Sequence, residues 1–223
     1  MKTMMLVFAV ALLLGFTAQT SRAQEQVEFA TVAAFLKQTL TSADSLSVDA
    51  KGDLNGDGLE DWSGLILRGN TGPSQTSQLY VLLQQAHGGY RVAEKSRAEA
   101  ISGMGCCWTE DVRINRSSVY IQNNAKTAPT MEAATHQFKF YRNEWRLIGV
   151  KIYYINFITD ISTEKDMNLL TGLVIEKRWK SDKNLTTKRS KKKFGRFLLK
   201  DFDFSHGFGV DNLSTSTNPT RSR

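Results

Sequence analysis

From Ser45 onward the chain is a train of short apolar or alternating runs punctuated by turn-forming residues, and this pattern constrains the fold most. The runs are Leu46–Val48, Trp62–Leu67, Leu79–Leu83, Tyr90–Ala93, Val112–Ile114, Val119–Ile121, His136–Tyr141 and Trp145–Tyr154. Between them lie Gly69-Asn70-Thr71-Gly72-Pro73, His87-Gly88-Gly89, Asn123-Asn124 and Arg142-Asn143-Glu144. Runs of this length are too short for packed helices, whereas strands joined by hairpins fit them. The clearest hairpin is Phe138–Ile148, where polar turn residues separate two aromatic-bearing arms.

Residues 26–42 differ. Val27, Ala30, Val32, Ala33, Phe35, Leu36 and Leu40 recur at spacings of mostly three and four, which predicts an amphipathic helix of about four turns. The expected fold class is therefore α+β and predominantly antiparallel β, an N-terminal amphipathic helix followed by a β-rich body of hairpins. No period of 20–50 residues repeats, so a solenoid or a propeller built from this chain alone is not expected.

The first 23 residues carry a targeting pattern. Lys2 precedes an apolar run from Met4 to Phe16, and Ser21-Arg22-Ala23 places small residues at the −3 and −1 positions of a cleavage site. A secretory signal peptide cut near Ala23 is expected, which makes the product secreted or periplasmic. A run of that length rises only about 20 Å as a helix, short of the ~30 Å hydrocarbon core.

This assignment relocates the charge. The formal net charge is +7, and removal of Lys2 and Arg22 lowers it to +5. Residues 184–223 hold nine Lys or Arg against Asp201, Asp203 and Asp211, so residues 24–183 are close to neutral at −1. Three segments are expected: a signal peptide over 1–23, a helix-plus-β domain over 24–180, and a basic, aromatic C-terminal segment over 181–223 ending in a disordered tail. Residues 181–193 read as solvated, while Phe194, Phe197, Leu198, Leu199, Phe202, Phe204 and Phe208 form a stretch placed to dock on the body.

The strongest chemical signal is Asp53-Leu54-Asn55-Gly56-Asp57-Gly58-Leu59-Glu60-Asp61. Oxygen-bearing side chains stand at positions 1, 3, 5 and 9, glycine at position 6, and position 7 offers a carbonyl. Ca²⁺ takes six to eight oxygens at roughly 2.3–2.6 Å, and this spacing lets a tight loop curl around one ion. The expected ligands are Asp53, Asn55, Asp57 and Asp61 through side chains and Leu59 through its backbone C=O. An EF-hand would need a bidentate acid at position 12, which here is Gly64, and helices rather than strands on either side. The competing explanation is a metal-free turn, since Asp, Asn and Gly favour turns without a ligand.

The loop resembles the calcium loop of FG-GAP/VCBS-type repeats, in which Asp-x-Asn-x-Asp-Gly-x-x-Asp links two strands of a blade. This chain has one copy and lacks a recognisable Phe-Gly/Gly-Ala-Pro partner, so multi-blade adhesion does not carry over. A wider resemblance is to a group of uncharacterised bacterial secreted proteins. It rests on the order helix, acidic loop, Leu79–Leu83 strand, aromatic hairpin with Trp145–Gly149, and Asp166–Gly172. It implies fold and address but no activity.

Two further features carry weaker chemistry. Cys106 and Cys107 are adjacent, flanked by glycines, and in an oxidising compartment each is the other's only intramolecular partner. Either a vicinal disulfide or two packed thiols accounts for them. The enzyme alternative is an extracytoplasmic Cys-dependent hydrolase or thiol-redox protein, with Cys106 or Cys107 as nucleophile and His136 as base. Walker, dinucleotide, Gly-x-Ser-x-Gly and His-Glu-x-x-His motifs are absent, and Glu110-Asp111 is not diagnostic. His87, His136 and His206 lack the paired spacing of a zinc site.

Lys188, Arg189, Lys191, Lys192, Lys193 and Arg196, interleaved with phenylalanines, have the composition of a contact to an anionic polymer or lipid surface. The signal peptide argues against intracellular nucleic acid. The function expected from sequence is a non-catalytic binding or structural protein, stabilised by Ca²⁺, whose partner is a protein or cell-envelope ligand.

Overall fold

The computed structural model describes residues 27–69, 75–100 and 107–202. The segment 1–23 expected to be a signal peptide, Cys106, Phe204, Phe208, His206 and the Ser/Thr-rich tail lie outside the described residues, as does most of the Gly69–Pro73 turn; of Cys107 only the backbone is described.

The chain is β-rich and builds two antiparallel sheets. The first orders β1 (Glu28–Phe29), β5 (Tyr90–Lys95), β4 (Thr76–Gln84), β3 (Asp61–Arg68) and β2 (Ser45–Gly52), with β6 (Glu99–Ala100) also paired to β4. The second is a meander of neighbours in sequence order: β7 (Cys107–Asn115), β8 (Ser118–Thr127), β9 (Thr130–Tyr141), β10 (Glu144–Asn156), β11 (Ile161–Asn168), β12 (Leu173–Lys180) and β13 (Lys183–Lys191). Every strand predicted from sequence is present and extended at one or both ends. The Phe138–Ile148 hairpin turns through Arg142 and Asn143, both at positive φ (52° and 64°), the two-residue geometry that follows strand twist.

The first sheet is buried on both faces. One face meets the second sheet in a shared core of Leu65, Leu79, Val81, Val119, Ile121, Phe138, Leu147, Val150 and Met167. The other face is covered by the helix α1 (Val32–Thr39), whose Phe35 packs edge-on to Trp62 and Tyr80 with Ile66 and Leu82 beside them. This double burial explains why Trp62–Ile66 is apolar or small without alternation: every one of its residues is buried.

Three expectations need correction. The four-turn helix over 26–42 is not formed; Glu28–Phe29 pairs as a strand, and helix begins only at Val32, where Thr31 Oγ1 accepts from the Ala34 N–H. It stops where Leu40 turns extended (ψ 133°). Asn123-Asn124 is not a turn but the buried middle of β8, paired with Ala134 and Ala133; the turns lie at Arg116-Ser117 and Ala128-Pro129. Finally, 183–191, expected to solvate rather than pack, does face solvent but is a strand of the sheet. Its backbone pairs along β12 as the sheet's last strand, although all nine side chains are exposed, and the 180/181 boundary falls at the turn between these two strands.

Beyond β13, Lys192 N–H donates to Gly172 O, and the chain then crosses the core face, where Leu147 N–H donates to Phe197 O. A 3-10 turn at Leu199–Asp201 buries Leu199 and leads into buried Phe202, which packs edge-on against Phe138 and His136. The aromatic stretch thus docks as a core element.

Candidate metal loop and other sequence-predicted sites

The acidic loop joins β2 to β3, adjacent antiparallel strands that end opposite each other at Gly52 and Asp61. Gly56 and Gly58 take φ of 82° and 80°, a region costly for side-chain-bearing residues, and these two positions let the loop reverse within a few residues. The oxygens then order the backbone. Asp53 Oδ1 accepts from Gly56 N–H (2.6 Å) and Asn55 N–H (3.2 Å), and its Oδ2 accepts from Gly58 N–H (3.0 Å). Asn55 Oδ1 accepts from Asp57 N–H, and Asp57 Oδ1 from Leu59 N–H.

Asp61 closes the ring from inside. It is fully buried at the start of β3, with Oδ2 accepting from Leu54 N–H (2.7 Å) and Oδ1 from Gln84 N–H (2.9 Å). One carboxylate therefore fixes the loop, β3 and the end of β4 together. Leu54, between two ligand-type residues, is buried in the main core and anchors the loop's entry.

The electrostatics of the two ends are opposite. The Gly56 N–H, helped by those of Gly58 and Asn55, holds the Asp53 carboxyl below its ordinary value against an opposing push from burial. Burial pushes the Asp61 carboxyl up, the charges of Asp57 and Asp53 push it further, and the two backbone N–H groups only partly offset this. The loop thus concentrates negative charge around one buried carboxyl. The nearby cation Lys51 is engaged by Glu60 at 3.0 Å.

The residue types suit a hard cation, with side-chain oxygens on a glycine-hinged loop whose own N–H groups order Asp53, Asn55 and Asp57. In the present arrangement Asn55 Nδ2 donates to Asp57 Oδ2 (2.7 Å), and no three His, Cys, Asp or Glu side chains among the described residues gather at metal-holding distances. Sequence reasoning placed Asp53, Asn55, Asp57, Leu59 and Asp61 in one loop, and the structure has them there between β2 and β3. That reasoning missed Gln84, whose N–H bonds Asp61 and whose Oε1 accepts from Glu60 N–H (2.9 Å), because nothing in the chain links a strand end 24 residues away to the loop.

The remaining predicted sites are dispersed. His136 is buried in β9, opposite Ile121 and Val150 and edge-on to Phe202. Cys107 lies opposite Ala125, which faces Glu132, so His136 stands four residues farther along the sheet and two strands away. At about 3.3 Å per residue the offset along the strands alone is roughly 13 Å, too far for a Cys107–His136 acid–base pair. His87 is exposed and contacts Glu28 at 2.9 Å. Asp111 lies in β7, 3.5 Å from Arg113.

The basic residues also divide. Lys188, Arg189 and Lys191 point outward from β13, whereas Arg196 contacts Glu144 of β10 in an ion pair, and the backbone of Lys192 fastens the Gly172 turn. The cluster is thus partly a sheet edge and partly internal stitching.

No protein family, curated protein or solved structure matches this chain. The likeness to FG-GAP/VCBS loops accordingly rests on the nine residues Asp53–Asp61. No helix among the described residues is long and apolar enough to cross a membrane.

Proposed function

We propose that this chain is an extracytoplasmic, non-catalytic binding or structural protein whose β2–β3 loop is set by Ca²⁺. The observation that supports the calcium reading is that the buried, doubly hydrogen-bonded Asp61 feels the negative charges of Asp57 and Asp53 from the same loop. Asp53, Asn55, Asp57 and Asp61 would hold the ion through side-chain oxygens and Leu59 through its carbonyl. A bound divalent cation neutralises the charge that these carboxylates impose on one another. Its effect passes through Asp61 to β3 and to Gln84 at the end of β4, so the ion stiffens the sheet that carries the helix. The extracytoplasmic address is drawn from Lys2, the Met4–Phe16 run and Ser21-Arg22-Ala23.

Calorimetric titration with Ca²⁺ tests the reading, paired with thermal unfolding in Ca²⁺ and in chelator. Binding heat with a dissociation constant of roughly 10⁻⁴–10⁻³ M, the range of extracellular modules, together with a higher melting temperature in Ca²⁺, is expected. No heat and identical melting temperatures would refute it.

A further inference from the structure

The second sheet ends in a rim of hairpin turns laced to one another. Phe157 N–H donates to Pro129 O (3.0 Å), tying the β10–β11 turn to the β8–β9 turn. Ser181 N–H donates to Asp160 O (3.1 Å), and Ser181 Oγ to Asp160 Oδ2 (2.6 Å), tying the β12–β13 turn to the same hairpin. Asn156 Oδ1 accepts from the N–H groups of both Ile158 and Thr159, which orders the tip. This braced rim presents apolar side chains to solvent: Ile158 is 79% exposed, Phe157 54% and Leu185 45%. An exposed aromatic–aliphatic pair side by side on an ordered turn, rimmed by polar residues, is the kind of surface that marks an interaction site.

Charge indicates the partner. The β12–β13 hairpin carries seven Lys or Arg against two acids, Glu176 and Asp182, and its cations Lys180 and Lys183 stand opposite each other at the rim. Asp160 is the other acid there, and its carboxylate is engaged by Ser181. Trp179 sits in the same cross-strand row as Ile155, one residue from the rim, where an indole fits a headgroup boundary. Apolar tips flanked by cations match an anionic bilayer surface: the tips enter the interface while the lysines meet headgroups. A second copy is a poorer match, because pairing two β13 edges would set Lys183, Lys188, Arg189 and Lys191 against like charges.

We propose that this rim docks on an anionic lipid surface, with Phe157 and Ile158 inserted and Lys180 and Lys183 at the headgroups. This gives a partner to the binding protein proposed above and rests on that reading for its extracytoplasmic, non-catalytic role, but not on the calcium loop.

The test is vesicle flotation of the full chain on phosphatidylcholine vesicles with and without phosphatidylglycerol. Wild type is compared with Phe157→Ser/Ile158→Ser and with Lys180→Gln/Lys183→Gln, each melted to check its fold. The apolar run 4–16 is common to all three, so differences report the rim. Preferential binding to the anionic vesicles is expected, falling about tenfold in the first variant. It should fall about fivefold per charge removed in the second. No binding to anionic vesicles would overturn the proposal, as would equal binding by wild type and both variants. A dimer detected by sedimentation that both variants abolish, without lipid binding, would assign the rim to self-association instead. Running each arm in Ca²⁺ and in chelator separates the two readings, because a failed calcium titration leaves the contrast between variants intact.

Discussion

The indole of Trp62 lies over Gly64, so that a Cβ at Gly64 would meet Trp62 Cζ2 at 2.2 Å. Trp62 is fully buried between the first sheet and Phe35, and its Nε1–H donates to Asp49 Oδ2 at 2.7 Å, which leaves the ring nowhere to go. The position where an EF-hand would place its bidentate acid is therefore closed by packing. Gly64→Ala is expected to destabilise by about 3 kcal/mol, read from the urea midpoint at constant slope. Gly149→Ala, whose Cβ would come nearest to the end of the Gln137 side chain, at 3.0 Å, should be distinctly milder. Equal effects at the two glycines would contradict this account.

Asp44 secures the join between helix and sheet. Its carboxylate accepts from Thr41 N–H and Oγ1, from Gly69 N–H and from Arg68, which also donates to Thr39 O. The Thr41 N–H, then the Gly69 N–H, hold its carboxyl far below the usual carboxylate range. Because the folded value lies below the unfolded 3.8, its contribution is complete above about pH 4 and lost as pH falls toward the folded value. Asp44→Asn should lower the melting temperature at neutral pH and flatten the melting temperature's fall below about pH 4. A variant whose acid profile parallels the wild type would count against this role.

Where burial is one-sided or two-sided, the sequence reports it; where a sheet is wet on both faces, it does not. The strands β3 and β4 stand out because apolar residues fill both of their faces, and β9–β10 because aromatics mark the hairpin arms. In contrast β11 and β13, Ile-Ser-Thr-Glu-Lys-Asp-Met-Asn and Lys-Asn-Leu-Thr-Thr-Lys-Arg-Ser-Lys, carry no apolar run that marks a strand. They are strands because they add to an existing edge, with only Met167 buried between them. The loop Asp53–Asp61 was legible for the opposite reason: much of its chemistry is local, the oxygens of Asp53, Asn55 and Asp57 accepting from N–H groups a few residues on. Gln84 and the closure of Gly64 by Trp62 depend on tertiary placement and leave no local mark.

The loop's acids should separate by role. Asp57 is exposed and bonds only within the loop, so Asp57→Asn should keep its melting temperature in chelator and lose the gain in Ca²⁺. That gain is about 2.7 kcal/mol at 100 times the dissociation constant. Asp61→Asn should be destabilised with or without calcium, by about 1–3 kcal/mol, since the amide has one oxygen for two buried N–H donors. The pH dependence follows from the raised Asp61 carboxyl. Because the folded value exceeds the unfolded one, ionising Asp61 costs stability progressively as pH rises from about 4 through the folded value. Calcium favours the ionised form, so its stabilising shift should grow over the same window and shrink on acidification. A shift independent of pH would show that Asp61 takes no part.

Removal of the basic segment cannot be a neutral operation. Truncation after Asp182 deletes β13, the Lys192–Gly172 clamp, and the buried Leu199 and Phe202. Phe202 meets Phe138 and His136 edge-on, each at 5.0 Å between ring centroids, and so covers the middle of β9. Phe202→Ala should cost about 3 kcal/mol or more, and the truncation should unfold the second sheet at lower urea still. By comparison Lys188→Gln/Arg189→Gln, which removes two exposed charges from the β13 edge, should leave the midpoint within about 0.5 kcal/mol of wild type. This ordering separates two roles in one sequence segment: phenylalanines and leucine that close the core, and cations that face outward. If the truncated chain matched the wild-type midpoint, the 194–202 stretch would not be part of the folded unit.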